Sequence, residues 1–144
     1  MAAVKTKANA KAKPATKPKR AKPAADGSAD VDAFLVASKH PMTPAVVAMR
    51  RQILAVDTRI TEQVKWNAPS FRTAADYLCT FNLRPDGALL LIFHNPLIPR
   101  VASPILDGDF KDRRIASFSS AADAKAKTPE VRRVVAALLK EMDP

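Results

Sequence analysis

The stretch Lys65-Trp66-Asn67-Ala68-Pro69-Ser70-Phe71 decides how this chain is read. It holds the only tryptophan, and a proline two residues before a phenylalanine. The residues before it have the apolar spacing of helices, and those after it have the spacing of paired strands. Pro69 cannot donate to a strand ladder, so regular pairing is expected to stop there. The stretch then reads as the bend at which helices give way to sheet. Asn67 supplies the turn, and Trp66 and Phe71 anchor it in the core.

Toward the N-terminus, Ile60, Val64 and Trp66 alternate with polar positions, as in a half-buried strand. Glu62 disturbs the alternation by falling at the inward parity. Before that, Thr43 and Pro44 form a helix start, because a proline at the first helical position loses no bond. Val46, Met49, Ile53 and Val56 make the apolar stripe of this helix, and Arg50, Arg51 and Gln52 are expected on its solvated side. An earlier helix is expected from about Asp30, with Val31, Phe34 and Leu35 on one face. His40-Pro41 ends it, since the residue before a proline avoids helical geometry.

Toward the C-terminus, Tyr77, Cys79, Phe81 and Leu83 fall on one face of a strand from Asp76 to Arg84. Pro85-Asp86-Gly87 is a hairpin signal leading into the nearly all-apolar run Ala88 to His94. Such a run is expected to be central and at least partly covered on both faces. Cys79 sits mid-strand among core residues and reads as a buried inert thiol. The segment from Asn95 to Asp112 carries Pro96, Pro99 and Pro104 and is the least regular. Asp107, Asp109 and Asp112 place three carboxylates within six residues, the weak candidates for a metal. Lys111, Arg113 and Arg114 neutralise them, which favours a plain turn.

Arg114 to Phe118 reads as the last strand, with Ile115 toward the core and Phe118 near it. Ser120 and Asp123 have the form of a capping box opening a short helix that ends near Lys127. Thr128-Pro129-Glu130 repeats the start signal for a second helix. There Val131, Val134, Val135, Leu138, Leu139 and Met142 share one face. The fold class that results is α+β. Two N-terminal helices precede an antiparallel sheet of about four to five strands, and C-terminal helices pack on the sheet.

Composition bounds the function. The chain has 144 residues, of which 47% are hydrophobic, enough for one domain with a core. No apolar run approaches the roughly 18 residues that span a bilayer. The basic N-terminus has no apolar stretch behind it, so it does not read as a secretory signal. A single cysteine fits a cytoplasmic setting. The formal charge of +10 is unevenly placed: residues 1–25 hold eight basic residues and no acid. Residues 1–28 are therefore expected to be a disordered basic Ala/Lys/Pro tail, and 29–144 a folded domain. Lys11, Lys13, Lys17, Lys19, Arg20 and Lys22 can contact nucleic acid non-specifically, by releasing counterions from the phosphate backbone. The bland alternative is a solubilising tail.

Lys65 to Phe71 resembles the Lys-Trp-Gly-x-Pro-x-Phe signature of the YdhG-like family of small bacterial domains of unknown function. The Val31-Asp32-Ala33-Phe34 helix start, the Tyr77–Leu83 and Leu89–Phe93 strands and the Ile115…Ser120…Val131–Leu139 pattern extend the resemblance over about residues 30 to 142. It implies an α+β fold in a cytoplasmic protein. For some members it implies iron handling, which makes an iron chaperone the alternative function and iron the only cofactor to consider. Asn67 stands where the signature has glycine. Asparagine is the best-tolerated substitute where φ is positive, so a left-handed or turn conformation is expected at Asn67.

No nucleophile elbow, phosphate loop or Cys/His zinc spacing occurs, so the expected role is non-enzymatic. The leading reading is a binding module for a small ligand or protein. Lys65, Trp66, Asn67, Pro69, Phe71 and His94 are its candidate contacts, and the basic tail is its contact to nucleic acid.

Overall fold

Each strand pairs antiparallel with the one before it, so a single five-stranded meander grows in sequence order. A computed structural model describes residues 27–143. Of the expected tail only Gly27 and Ser28 fall among them. The chain begins with α1 (Ser28–Ser38) and α2 (Thr43–Leu54). The strands are β1 (Thr61–Lys65), β2 (Ala68–Arg72), β3 (Tyr77–Leu83), β4 (Leu89–Phe93) and β5 (Arg114–Phe118). A 3₁₀ turn (Ile98–Arg100) lies between β4 and β5, and α3 (Ala121–Met142) closes the chain. This is the expected α+β architecture.

The register puts the core on one face of the sheet. Phe71 lies opposite Cys79, Cys79 opposite Phe93, Phe81 opposite Leu91, Leu91 opposite Ala116 and Leu89 opposite Phe118. These side chains are buried in one cluster with Val31 and Leu35 of α1, Val46, Met49 and Ile53 of α2, and Val131, Val134, Val135 and Leu138 of α3. Each fully buried aliphatic contributes roughly 1.5–3 kcal/mol. The opposite face carries Ser70, Thr80, Asn82, Leu90 and Ile92 by the same alternation. Leu90 and Ile92 are only half-buried there, so β4 is covered fully on one face alone. Ile115 pairs with Ile92 on that second face; Ala116 and Phe118, not Ile115, reach the core.

Three further expectations give way. The two expected C-terminal helices are one, because α3 runs unbroken through Pro129. The proline removes one backbone bond, at a cost of about 3 kcal/mol. Burial of Val131, Val134, Val135 and Leu138 outweighs this. The Thr128 hydroxyl also donates to the Ala124 carbonyl at 2.8 Å, one turn back. The expected cap is present: the Asp123 N–H donates to Ser120 Oγ and the Ser119 N–H donates to the Asp123 carboxylate, each at 3.0 Å.

Pro69 does not stop pairing. It lies within β2 opposite Val64, one pair beyond the turn-closing pair of Lys65 and Ala68. In a two-residue hairpin that next pair exchanges no backbone bonds, so the missing N–H is not needed toward β1. Pairing with β3 starts only at Ser70.

Arg50 is not on a solvated face. It is 9% exposed, and Glu62, whose parity looked anomalous, is 1% exposed beside it. Arg50 Nε and Nη2 donate to the two Glu62 carboxylate oxygens at 2.9 and 2.6 Å, and Nη1 donates to Asp32 at 2.5 Å. Ser28 Oγ donates to Glu62 at 2.6 Å, and the Gly27 N–H donates to the Glu62 carbonyl at 2.7 Å. A buried charge pair thus fastens α1, α2 and the edge strand β1 together. The carboxylates hold the Arg50 guanidinium well above its ordinary value, against the opposing effect of burial.

Candidate functional site

The opening stretch is the first hairpin of the sheet, not a bend from helix to sheet. Lys65 and Ala68 close a two-residue loop whose central residues, Trp66 and Asn67, have φ of 56° and 55°. Two positive φ values are what a type I′ turn demands. Asn67 adopts the left-handed conformation anticipated from the sequence. Trp66 adopts it too, and its side chain is 60% exposed instead of anchored in the core. A bulky aromatic at positive φ is a genuine outlier.

A shift of register between Phe71 and Arg72 places Arg72 opposite Tyr77. The shift turns Tyr77 out of the Phe81 row and onto Trp66, with ring centroids 4.9 Å apart. His94, just past β4, meets Trp66 edge-on at 5.2 Å and lies 6.1 Å from the Tyr77 ring. The His94 Nε2 and Thr80 Oγ1 are 2.8 Å apart, and Thr80 Oγ1 and Ser70 Oγ are 2.9 Å apart. A polar ladder therefore crosses β2, β3 and the end of β4 beneath three aromatic rings. Burial pushes the His94 imidazole below its ordinary value; Asp76 opposes this and Arg113 adds to it. The ring nitrogen that touches a neighbour meets a threonine hydroxyl, not a carboxylate.

Cations border the rings. The Arg72 guanidinium lies 4.7 Å from the Tyr77 ring centre, and Lys65 Nζ lies 5.7 Å from that of Trp66. Two cavities meet here. One, of about 530 Å³, is lined by Phe34, His40, Trp66, Asn67, Thr80 and Pro85 among others. The second, of about 400 Å³, is lined by Trp66, Thr80, Ile92, His94 and Arg113. Both volumes fall within the range of ligand clefts. Trp66, Thr80 and Ile92 line both cavities, so the indole is the wall they share.

The structure divides the expected contacts. Trp66 meets His94, Asn67 beside it lines only the first cavity, and Lys65 is at the margin. Phe71 lies in the core against Phe81, with ring centroids 5.7 Å apart, and Pro69 is buried in β2; neither lines a cavity at this face. Tyr77, Thr80, Arg72 and Arg113 were missed. Strand alternation placed Tyr77 with the core row, and only the register shift reverses it.

The second histidine, His40, is structural. Its Nδ1 accepts from the Met42 N–H at 3.0 Å, which leaves Nε2 to donate to the Arg84 carbonyl at 2.8 Å. Cys79 is fully buried, and burial pushes its thiol upward.

The carboxylate cluster is opened out. Asp107 exchanges two backbone bonds with Ile115, and the Asp112 carboxylate lies 3.8 Å from Arg113. Asp107, Asp109 and Asp112 are all exposed. Among the described residues no group of three or more His, Cys, Asp or Glu side chains is placed to hold a metal ion. The tail cations Lys11, Lys13, Lys17, Lys19, Arg20 and Lys22 lie outside the described residues. Among the described residues no helix is long and apolar enough to cross a membrane. No protein-family model matches the chain, and neither a curated protein nor a solved structure matches it.

Proposed function

We propose that the chain is a non-enzymatic binding module of the YdhG-like kind, acting in the cytoplasm. Its ligand seats on the sheet face built from Trp66, Tyr77 and His94. The observation that carries this reading is the state of Trp66. A large apolar ring is held in solvent, at a backbone conformation that suits asparagine or glycine, on the wall shared by two cavities. Strain of this kind persists where a site uses it. The basic tail adds a non-specific contact to nucleic acid.

Trp66 is the only tryptophan, so its emission reports directly on this face. The test titrates the full chain with three probes: small aromatic carboxylates, an acidic peptide and oligonucleotides. A shift or quench of Trp66 emission that saturates at micromolar concentration of any one probe supports the module. Indifference of Trp66 to all three up to millimolar concentration refutes it.

A further inference from the structure

Building on the reading of this face as a binding site, we propose that its ligand is single-stranded nucleic acid, held by stacking of bases on Trp66. Every nucleobase has a π face, so an exposed indole beside further aromatic rings and cations binds single strands without reading their sequence. Sheet faces that present aromatic side chains use the same chemistry on unpaired bases. Trp66 offers the exposed ring, and Tyr77 and His94 pack against it with centroids at 4.9 and 5.2 Å.

The charges around the ring suit a phosphate backbone. Lys65, Arg72 and Arg113 stand beside the three rings. Two acids accompany them: Asp76, which acts on His94, and Asp112, 3.8 Å from Arg113. The balance on the face itself is only slightly positive, and residues 1–25 add eight cations and no acid. Gly27 bonds to Glu62 on β1, and Trp66 follows Glu62 by four residues, about 13 Å along the strand. Lys22 precedes Gly27 by five residues, at most about 18 Å of chain. By contour length alone, the chain from Gly27 back to Lys22 can span the distance from Glu62 to Trp66. A duplex does not satisfy this arrangement, because its bases are stacked on one another.

The experiment uses the full chain and three ligands at 150 mM salt: a twelve-nucleotide oligothymidylate, a twelve-base-pair duplex and thymidine 5′-monophosphate. The expected result is quenching of Trp66 emission by the single strand alone, with tighter binding than the monophosphate by more than tenfold. Trp66→Asn suits the left-handed position and removes the ring. It should weaken oligothymidylate binding, read by anisotropy of a labelled strand, by roughly 5- to 150-fold. Trp66→Phe should restore part of the loss. Arg72→Gln and Arg113→Gln should each flatten the salt dependence by about one phosphate contact.

Salt-sensitive binding of single strand and duplex alike, with Trp66 emission unchanged, assigns all contact to the tail and overturns the inference. Equal quenching by the monophosphate overturns it in favour of a mononucleotide pocket. Quenching by an aromatic carboxylate or acidic peptide but not by the single strand overturns the nucleic-acid ligand and leaves the binding module standing. If no probe reaches Trp66, both fall.

Discussion

Replacing Glu62 by alanine tests the reasoning that the interior charge pair, and not helix amphipathicity alone, closes the N-terminal half. Glu62 is 1% exposed and takes three hydrogen bonds on its carboxylate, from Arg50 Nε, Arg50 Nη2 and Ser28 Oγ. Removing it leaves the Arg50 guanidinium buried, with Asp32 as its remaining carboxylate partner. Breaking a buried pair from one side costs about 3–5 kcal/mol, because a charge is left desolvated without compensation. For a domain of this size each kcal/mol moves Tm by about 3–5 °C, so Glu62→Ala should lower Tm by roughly 10–20 °C.

Two controls fix the cause. Asp32 is 65% exposed, and its ion pair with Arg50 is solvent-screened, so Asp32→Asn should cost about 1 kcal/mol or less. The double replacement Arg50→Met with Glu62→Met removes both charges and keeps the volume; it should recover most of the stability lost by Glu62→Ala. The assay is urea denaturation followed by circular dichroism, with hydrogen exchange at Val31 to Leu35 reporting whether α1 loosens first. A Glu62→Ala protein within 1 kcal/mol of the parent, or a double variant as unstable as the single one, refutes the reasoning.

Two further outcomes are expected. The His94 imidazole is held below its ordinary value, so as pH falls the unfolded chain takes up its proton before the folded one does. Stability should drop as pH falls through about 6.5 and level off below the folded value, and His94→Gln should remove that part of the slope in urea midpoints measured from pH 8 to 5. A Cβ added at Gly27 would stand 2.8 Å from Gln63 Cα and 2.9 Å from the Glu62 carbonyl, both backbone atoms. Gly27→Val should therefore cost about 1–3 kcal/mol and speed hydrogen exchange in the first turn of α1, whereas an unchanged midpoint would show that the chain does not enter along β1.

The fold was largely legible because its periodicities are strong. The α3 stripe, the hairpin at Pro85-Asp86-Gly87 and the inward row of β4 all follow from spacing, and the structure places Val131, Leu89 and Phe93 in the core accordingly. The misreadings share a physical cause: each depends on a partner distant in sequence. Arg50 looks like a surface residue until Glu62 is brought beside it from β1, and Glu62 looks like a fault in alternation until Arg50 arrives from α2. The burial of each is compensated by the other's charge. Alternation puts Tyr77 in the core row because it assumes an uninterrupted ladder, and the shift at Phe71 and Arg72 is a property of the pair of strands. The site was half legible for the same reason. Local sequence points to Trp66, Asn67 and His94, whereas Tyr77, Thr80 and Arg113 join them only through sheet register. Residues 1–26 of the tail lie outside the described residues, and the tail's expected character rests on composition.

The two aromatic residues of the opening stretch separate stability from binding. Phe71 is fully buried in the core against Phe81, so Phe71→Ala should cost about 3–5 kcal/mol. Trp66 works against itself energetically. Its left-handed backbone costs about 1–2 kcal/mol, which its contacts with Tyr77 and His94, at about 0.5–1.5 kcal/mol each, roughly offset. Trp66→Asn relieves the strain and forfeits the contacts, so its stability should stay within about 1 kcal/mol of the parent in urea denaturation. A loss of 3 kcal/mol or more would mean that the indole is part of the structural core and is not held at this turn for a ligand. If the midpoint holds while every saturable probe response at this face disappears, the fold does not need the ring. A residue that a type I′ turn does not favour is then kept at its tip for what it contacts outside the molecule.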